Sequence, residues 1–142
     1  MSFSLNIKIK ILKNDIPDRK VRDIGIAIVP RKEDELWDTY IINYKEVEIS
    51  CLLINSKGYG EVDGDMVKTT ILRHYIENLP ALSYVKIEPI QTELFKLTNE
   101  YWVSFYCDDY MYDKKFIFVR GSIDKSNFSH IEMLNEVGVM IR

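Results

Sequence analysis

A glycine-rich, acidic stretch is the first part of this sequence that could do chemistry. Residues 56–65 read Ser-Lys-Gly-Tyr-Gly-Glu-Val-Asp-Gly-Asp and hold half of the glycine in the chain. Glycine permits positive φ and close approach of a backbone to a ligand. The candidate site residues here are Gly58, Tyr59, Gly60, Asp63 and Asp65.

Known phosphate-binding patterns do not fit this stretch. A dinucleotide fingerprint needs a third glycine where Asp63 stands, and a phosphate-binding loop needs Lys-Ser or Lys-Thr after its second glycine. Calcium ligation by the acidic residues lacks the twelve-residue EF-hand spacing. A bulged strand end followed by a tight turn at Asp63-Gly64 explains the same residues.

Histidine and cysteine are scarce. The chain has two of each: His74, His130, Cys51 and Cys107. No His-x-x-x-His or Cys-x-x-Cys pair exists, so the sequence predicts no metal site and no cofactor. Both cysteines alternate with apolar residues, which predicts two buried free thiols rather than nucleophiles. His74 is kept as a ligand or interface candidate on a predicted helix.

The remaining polar residues do not define a catalytic set. No serine lies in a Gly-x-Ser-x-Gly elbow. Asp108, Asp109 and Asp113 flank a predicted hairpin, where paired acid–base carboxylates are the alternative to an ordinary charged tip. The enzyme hypothesis is therefore limited to a site assembled around residues 58–64 with His74. The sequence favours a non-catalytic protein.

Aromatic residues are more informative. On residues 101–108, period-two alternation places Tyr101, Phe105 and Cys107 on one face and Trp102 and Tyr106 on the other. Bulky groups on both faces indicate a strand covered on both sides, or on one side by a partner. The alternative is that exposed Trp102 and Tyr106 stack bases or a planar ligand.

The elements that must position these residues are mostly strands. Alternating or apolar runs predict strands at residues 3–11, 24–29, 37–43, 47–56, 84–88, 101–108, 112–119 and 137–141. Residues 44–46 are predicted to form a hairpin turn between the third and fourth of these. Residues 69–79 predict the one helix, because Leu72, Tyr75, Ile76 and Leu79 lie at helical spacing and Pro80 would end it.

Short connections predict a mostly antiparallel sheet, because parallel pairs need long crossovers. The fold class predicted is α+β, mostly β: a curled antiparallel sheet of about seven or eight strands, possibly barrel-like, with one covering helix. With 142 residues and no linker composition, the chain predicts a single globular domain over residues 1–142.

Composition narrows the function classes. The chain is 46% hydrophobic and 29% charged, which excludes disorder and low-complexity sequence. Its formal charge of −3 argues against non-specific nucleic-acid binding. No run reaches the 18 or more apolar residues of a membrane span, and no signal peptide is recognisable, so we expect a cytoplasmic protein that does not bind membranes.

Three segments resemble a family of small uncharacterised bacterial proteins: residues 56–62, 100–105 (Glu-Tyr-Trp-Val-Ser-Phe) and 112–116 (Tyr-Asp-Lys-Lys-Phe). The resemblance covers most of residues 37–120. Some members of that family carry the label phenylalanyl-tRNA synthetase alpha subunit, although this chain is too short for a synthetase catalytic domain. The resemblance implies no known activity, and no functional residue is carried over from it.

Three function hypotheses follow from the sequence. The first is a non-catalytic protein-interaction module that forms a homo-oligomer or binds a protein partner. The second is a small-ligand or RNA-linked binding module that uses Trp102, Tyr106 and the glycine-rich loop. The third is a small enzyme with its site around that loop.

Overall fold

The computed structural model describes residues 20–142, which form ten β-strands and two short 3-10 segments. The predicted strand at residues 3–11 lies outside the described residues. Within residues 20–142 there is no α-helix. No helix of this described part is long and apolar enough to cross a membrane.

The first sheet has five antiparallel strands. They are β1 (Ile24–Pro30), β2 (Trp37–Asn43), β6 (Ser83–Ile90), β9 (Ser129–Ile131) and β10 (Glu136–Ile141). Their order across the sheet is β6-β2-β1-β10-β9. In β1, isoleucines at 24, 26 and 28 face the core, and the alternate residues face outward.

The second sheet is built around one long strand. Its members are β3 (Ile49–Val62), β4 (Asp65–Lys68), β5 (Leu72–Leu79), β7 (Thr98–Cys107) and β8 (Tyr110–Phe118). β3 is 14 residues long, so β4 and β5 pair with one of its edges in succession. β7 pairs with the other edge, and β8 pairs with β7.

The two sheets form a sandwich around a shared apolar core. Alternate residues of both sheets contribute to it, which is the arrangement expected when two half-apolar sheets pack face to face. The largest fully buried members are Ile24, Ile26, Ile28, Ile41, Ile49, Leu52, Ile54, Tyr101, Phe105, Phe116 and Phe118.

The predicted single curled sheet with a covering helix, an α+β fold, is therefore wrong. The strands divide between two sheets, so no single sheet closes into a barrel in the described part of the chain. The division begins at residues 44–48, because β2 pairs with β1 and β6 while β3 joins the other sheet. The hairpin predicted at residues 44–46 is thus wrong as well.

Asn43 stabilises this crossing between sheets. Its Nδ2 lies 3.0–3.2 Å from the carbonyl oxygens of Val47, Leu79 and Pro80. Its Oδ1 accepts a 2.9 Å hydrogen bond from the Lys45 amide. A buried amide thus satisfies backbone groups that a paired hairpin would otherwise have satisfied.

The predicted helix at residues 69–79 is an edge strand, β5. Its side chains alternate: Arg73, Tyr75 and Glu77 point away from the core, and His74 and Ile76 point toward it. A three-turn helix is marginal on its own, whereas pairing with β3 satisfies the backbone of β5 over seven register positions. The helical spacing of Leu72 and Ile76 is also a period-two spacing, so it did not discriminate between the two structures.

Candidate functional site

The outward side of the second sheet is an exposed apolar surface. Alternate residues of β3, β5, β7 and β8 point away from the core, and several are large and hydrophobic. Trp102 is 41% exposed and Tyr75 is 63% exposed. We call this surface the aromatic face and define it by Leu53, Tyr75, Trp102, Tyr106, Met111 and Ile117.

Strand register fixes the arrangement of the aromatic face. Asn55 on β3 lies opposite both Arg73 on β5 and Trp102 on β7, and Trp102 lies opposite Lys115 on β8. One row further along the strands, Leu53 lies opposite Tyr75 and Ser104. The next row brings Tyr106 opposite Met111. The apolar side chains therefore lie on one side of four strands, with Asn55, Ser104 and Asp113 among them, and we call this group the apolar band.

Polar neighbours hold the Trp102 ring in place. Its indole Nε1 donates a 3.3 Å hydrogen bond to Asp113. The Lys115 ammonium lies 4.6 Å from the centroid of the ring, within range of a cation–π contact. The prediction that Trp102 and Tyr106 share the face opposite Tyr101 and Phe105 is confirmed, since the latter two are buried in the core.

Charges separate toward the two ends of this face. At one end, Lys57 and Lys68 line a groove with Met66 and Ile71, and Arg73 and Lys115 follow. At the other end, Glu48, Asp108 and Asp109 surround Ser50 and Tyr106, and Glu77 follows Tyr75 on β5. We call these the basic end and the acidic end. Two acids also lie at the basic end: the buried Glu100, 3.8 Å from Lys57, and the exposed Glu61, opposite Met66.

Cys51 marks a bulge at the acidic end. The register of β3 against β7 shifts between Ser50 and Leu53, and Cys51 adopts a φ of 52°. The bulge leaves Cys51 exposed, so the prediction of a buried thiol is wrong there, while it is confirmed for Cys107. Burial raises the pKa of the Cys107 thiol above its ordinary value, and Asp108 raises it further.

Tyr75 lies beside this exposed cysteine. A hydrogen bond with Cys51 raises the pKa of the Tyr75 phenol above its ordinary value, and the charge interaction with the same cysteine adds to the rise. Tyr75 therefore remains a neutral phenol at physiological pH. A neutral aromatic ring at this position suits the apolar band.

The glycine-rich stretch is the end of β3 and the turn into β4. Asp63 and Gly64 form a two-residue connection with φ values of 52° and 86°, which is the pair of positive angles that a type I′ turn requires. This confirms the predicted tight turn. Within residues 20–142 no group of three or more potential metal ligands occurs, so Asp63 and Asp65 gain no partners for a metal ion.

The candidates in that stretch point in different directions. The Tyr59 hydroxyl donates a 3.2 Å hydrogen bond to Glu100, at the basic end of the aromatic face. Gly58 packs against Thr69, Asn99 and Leu97 on the inner side of the sheet. Gly60 and the turn at Asp63 lie at the far end of β3 from Tyr106, so the structure separates the loop from that residue.

A second feature joins the edges of the two sheets. His74 Nε2 on β5 lies 2.6 Å from Glu88 Oε1 on β6. The Ser56 hydroxyl donates to the same carboxylate, 2.9 Å from Oε1 and 3.2 Å from Oε2. His74 is thus part of a Ser56–Glu88–His74 cluster, which we call the edge cluster, and lies on a strand and not on the predicted helix.

The edge cluster does not have the arrangement of a nucleophilic triad. In such a triad a histidine accepts the proton of the serine hydroxyl and a carboxylate orients the histidine. Here the carboxylate lies between the two other groups, so the Ser56 hydroxyl donates to Glu88 and not to His74. The cluster can hold the sheets together and offer a carboxylate to a ligand.

Sequence reasoning missed Ser56 and Glu88. On β2, Thr39 is opposite Glu88 and the next residue, Tyr40, is opposite Lys86. Ile87 therefore has no opposite residue on β2 and forms a bulge, which changes the side chains of β6 that face inward. The bulge turns Glu88 toward the core side, against the alternation of β6. Nothing in the local sequence signals this, because the partner histidine lies on a different sheet.

No family model matches the chain. A search of curated proteins gives no significant match either.

Proposed function

We propose that the chain is a protein-interaction module that forms a homodimer through its aromatic face. The observation that supports this proposal is the apolar band, which includes the exposed side chains of Trp102 and Tyr106. Exposed apolar surface of this kind is typical of interaction sites, and tryptophan and tyrosine are enriched among the residues that dominate binding energy.

The charge pattern favours a second copy of this chain as the partner. If the two-fold axis lies in the interface and runs perpendicular to the strands, each strand meets the same strand of the partner in the opposite direction. With the axis at the row of Tyr75 and Leu53, Arg73 faces Glu77 of the partner subunit, and Trp102 faces Tyr106 of the partner subunit. The basic end of each copy then meets the acidic end of the other.

The size of the aromatic face suits a modest interface. Four strands spaced by about 4.8 Å and some eight residues along each give about 500 Å² per copy. Two copies therefore bury about 1,000 Å², which is near the lower limit of specific interfaces. We expect a dimer that forms in a concentration-dependent way.

The proposed compartment is the cytoplasm. Cys51 is an exposed free thiol at the acidic end of the proposed interface, and Cys107 is also free. Exposed unpaired thiols are compatible with a reducing compartment, where they are kept from oxidation.

Sedimentation velocity on the full chain over a range of concentrations tests the proposal. We expect the mass to rise from monomer to dimer as concentration increases. Trp102→Ser should shift the transition to concentrations about tenfold higher or more, because it removes the largest side chain of the band. The matched control is Tyr84→Ser, which removes an exposed aromatic residue on the outer side of the first sheet.

Three results would contradict the proposal. A monomer at every concentration would do so, and so would equal effects of the Trp102 and Tyr84 substitutions. The third is a monomeric chain whose Trp102 fluorescence responds to short RNA, which would favour base stacking on the same band.

A further inference from the structure

A cleft beside the edge cluster has the properties of a separate ligand site. Its volume is about 270 Å³, slightly below the range usual for drug-sized ligands. Leu72, Ile90 and Leu94 form its apolar wall. Its polar lining includes Ser56, Glu88, Asn99 and Tyr101, and none of these four belongs to the aromatic face.

The lining of the cleft has one acidic side chain that no lysine or arginine of the cleft contacts. Among the described residues that line it, Glu88 is the only acid and Lys57 the only base. The Lys57 side chain, however, points to the opposite side of β3, where its Nζ lies 3.8 Å from Glu100 Oε2. The Glu88 carboxylate therefore has no lysine or arginine partner in the cleft, and its ion-pair partner among the described residues is His74, 2.6 Å from Oε1, which is charged only when protonated.

The groups left for a ligand are hydrogen-bond acceptors. Glu88 Oε1 takes the close contacts with His74 and Ser56, and Oε2 has only the longer 3.2 Å contact with Ser56. Asn99 donates both of its side-chain hydrogen bonds from Nδ2, to the carbonyl oxygens of Leu94 and Leu97. Among the described residues its Oδ1 is thus left to accept a hydrogen bond.

Gly58 keeps the Asn99 acceptor uncovered. A Cβ at position 58 would lie 3.3 Å from Asn99 Oδ1 and 3.2 Å from the Thr69 methyl group. Any larger side chain would therefore occupy the space in front of the amide oxygen. This gives a physical role to one of the glycines that the sequence singled out.

Tyr101 lies against the same site as a neutral phenol. Its hydroxyl is 3.1 Å from Thr39 Oγ1. Burial raises the pKa of Tyr101 well above its ordinary value, and the charge of Glu88 raises it further. The cleft thus combines one carboxylate, one amide oxygen and an apolar wall.

We propose that this cleft binds a small primary ammonium compound with a short aliphatic chain. His74 contacts Glu88 at Oε1, so an ammonium group can add a positive charge at Oε2 and has enough donors for both Glu88 Oε2 and Asn99 Oδ1. The aliphatic chain would pack on Leu72, Ile90 and Leu94. This site is independent of the proposed dimer.

Titration of the full chain with n-butylammonium chloride, followed by two-dimensional NMR, tests the proposal. We expect saturable shifts of the amides of residues 56–58, 88 and 99. The uncharged probe 1-butanol should bind about tenfold more weakly or worse, a difference of about 1.4 kcal/mol. Sodium chloride at matched ionic strength is the control for general salt effects.

Three variants make the test independent of folding. Glu88→Gln should remove the preference for the ammonium over the alcohol. Because that change also touches the edge cluster, Leu72→Lys and Leu72→Gln form a matched pair at a half-exposed residue of the rim. We expect the lysine variant to bind butylammonium several-fold more weakly than the glutamine variant, because the two differ in charge at similar length.

Equal affinities for butylammonium and 1-butanol would overturn the proposal. Shifts that never saturate, or equal butylammonium binding by the two Leu72 variants, would overturn it as well.

Discussion

The outer surfaces of the two sheets differ in whether other parts of the described chain cover them. On the first sheet, the outward residues Ala27, Val29 and Ile42 form a second buried cluster with Ile131. Partly buried side chains complete it: Tyr40, Tyr44, Met133, Leu134 and Met140. On the second sheet, the outward residues form the aromatic face and stay exposed.

The reason for the difference lies in the connections. The turn after β9 brings Met133 and Leu134 over the first sheet, and Arg142 lies 3.9 Å from the Tyr44 ring. Among the described residues no segment covers the second sheet in the same way, since its strands are joined by the tight turns at Asp63-Gly64 and Asp108-Asp109. The comparison separates a surface that the chain covers itself from a surface that we propose a second copy covers.

The largest expected effect is a difference in stability between the two outer surfaces. Ile42→Ala removes a fully buried side chain from the covered surface and should lower the free energy of unfolding by about 2–4 kcal/mol. Leu53→Ala acts on a half-exposed residue and should lower it by less than about 1 kcal/mol.

Urea denaturation at protein concentrations below the dimer range measures both variants. Equal losses of stability would mean that the aromatic face is packed against something within the monomer. That outcome would remove the contrast between the two surfaces.

A smaller effect is the contribution of Asp38, on the covered surface, to the free energy of unfolding as pH falls. Burial opposes ionisation of Asp38, but hydrogen bonds from Arg31 and Lys86 outweigh it and hold the pKa of this carboxyl below its ordinary value of 3.8. Its stabilising contribution is therefore complete above pH values near 3.8 and is lost as pH falls through the lower pKa of the folded state.

We expect Asp38→Asn to lower stability at neutral pH by about 1–3 kcal/mol, because the substitution removes the buried charged partner of Arg31 and leaves it only the exposed Asp34. The loss should shrink as pH falls below the ordinary pKa of aspartate. Thermal unfolding between pH 7 and pH 3 measures it, and a loss that is the same at every pH would contradict the assignment. Asp113→Asn, an exposed carboxylate on the other sheet, is the control.

The smallest expected effect is on thiol reactivity. Cys51 is exposed and Cys107 is buried with a raised pKa, so one thiol per chain should react quickly with a maleimide under native conditions. Dimer formation should slow the reaction of Cys51 a few-fold at high protein concentration, since Cys51 lies within the proposed interface. Mass spectrometry of the labelled peptides gives both rates. A Cys51 rate that is independent of protein concentration would speak against its burial in a dimer.

Local features could be predicted from the sequence, whereas the division of the strands between two sheets could not. The alternation of Trp102 with Tyr101, and the turn at Asp63-Gly64, follow from period two and from turn chemistry, and the structure confirms both. The separation of β2 from β3 depends on a buried Asn43 that bonds to residues 36 and 37 positions away. No local pattern shows such contacts.

Two bulges account for the unexpected positions of Cys51 and Glu88. The bulge at Cys51 exposes a thiol that strict alternation would bury, and the bulge at Ile87 turns Glu88 inward. A single extra residue changes the face of every later side chain in a strand. For this reason the edge cluster could not be predicted from the sequence, whereas the outward positions of Trp102 and Tyr106 could.

A charge-swap experiment tests the two-fold arrangement of the aromatic face most directly. Arg73→Glu and Glu77→Arg each place like charges opposite one another in the proposed dimer, so each variant alone should dimerise about tenfold more weakly. An equimolar mixture restores both opposite-charge contacts, and we expect sedimentation velocity to show dimer at the wild-type concentration. A mixture that is as monomeric as its two components would contradict the account.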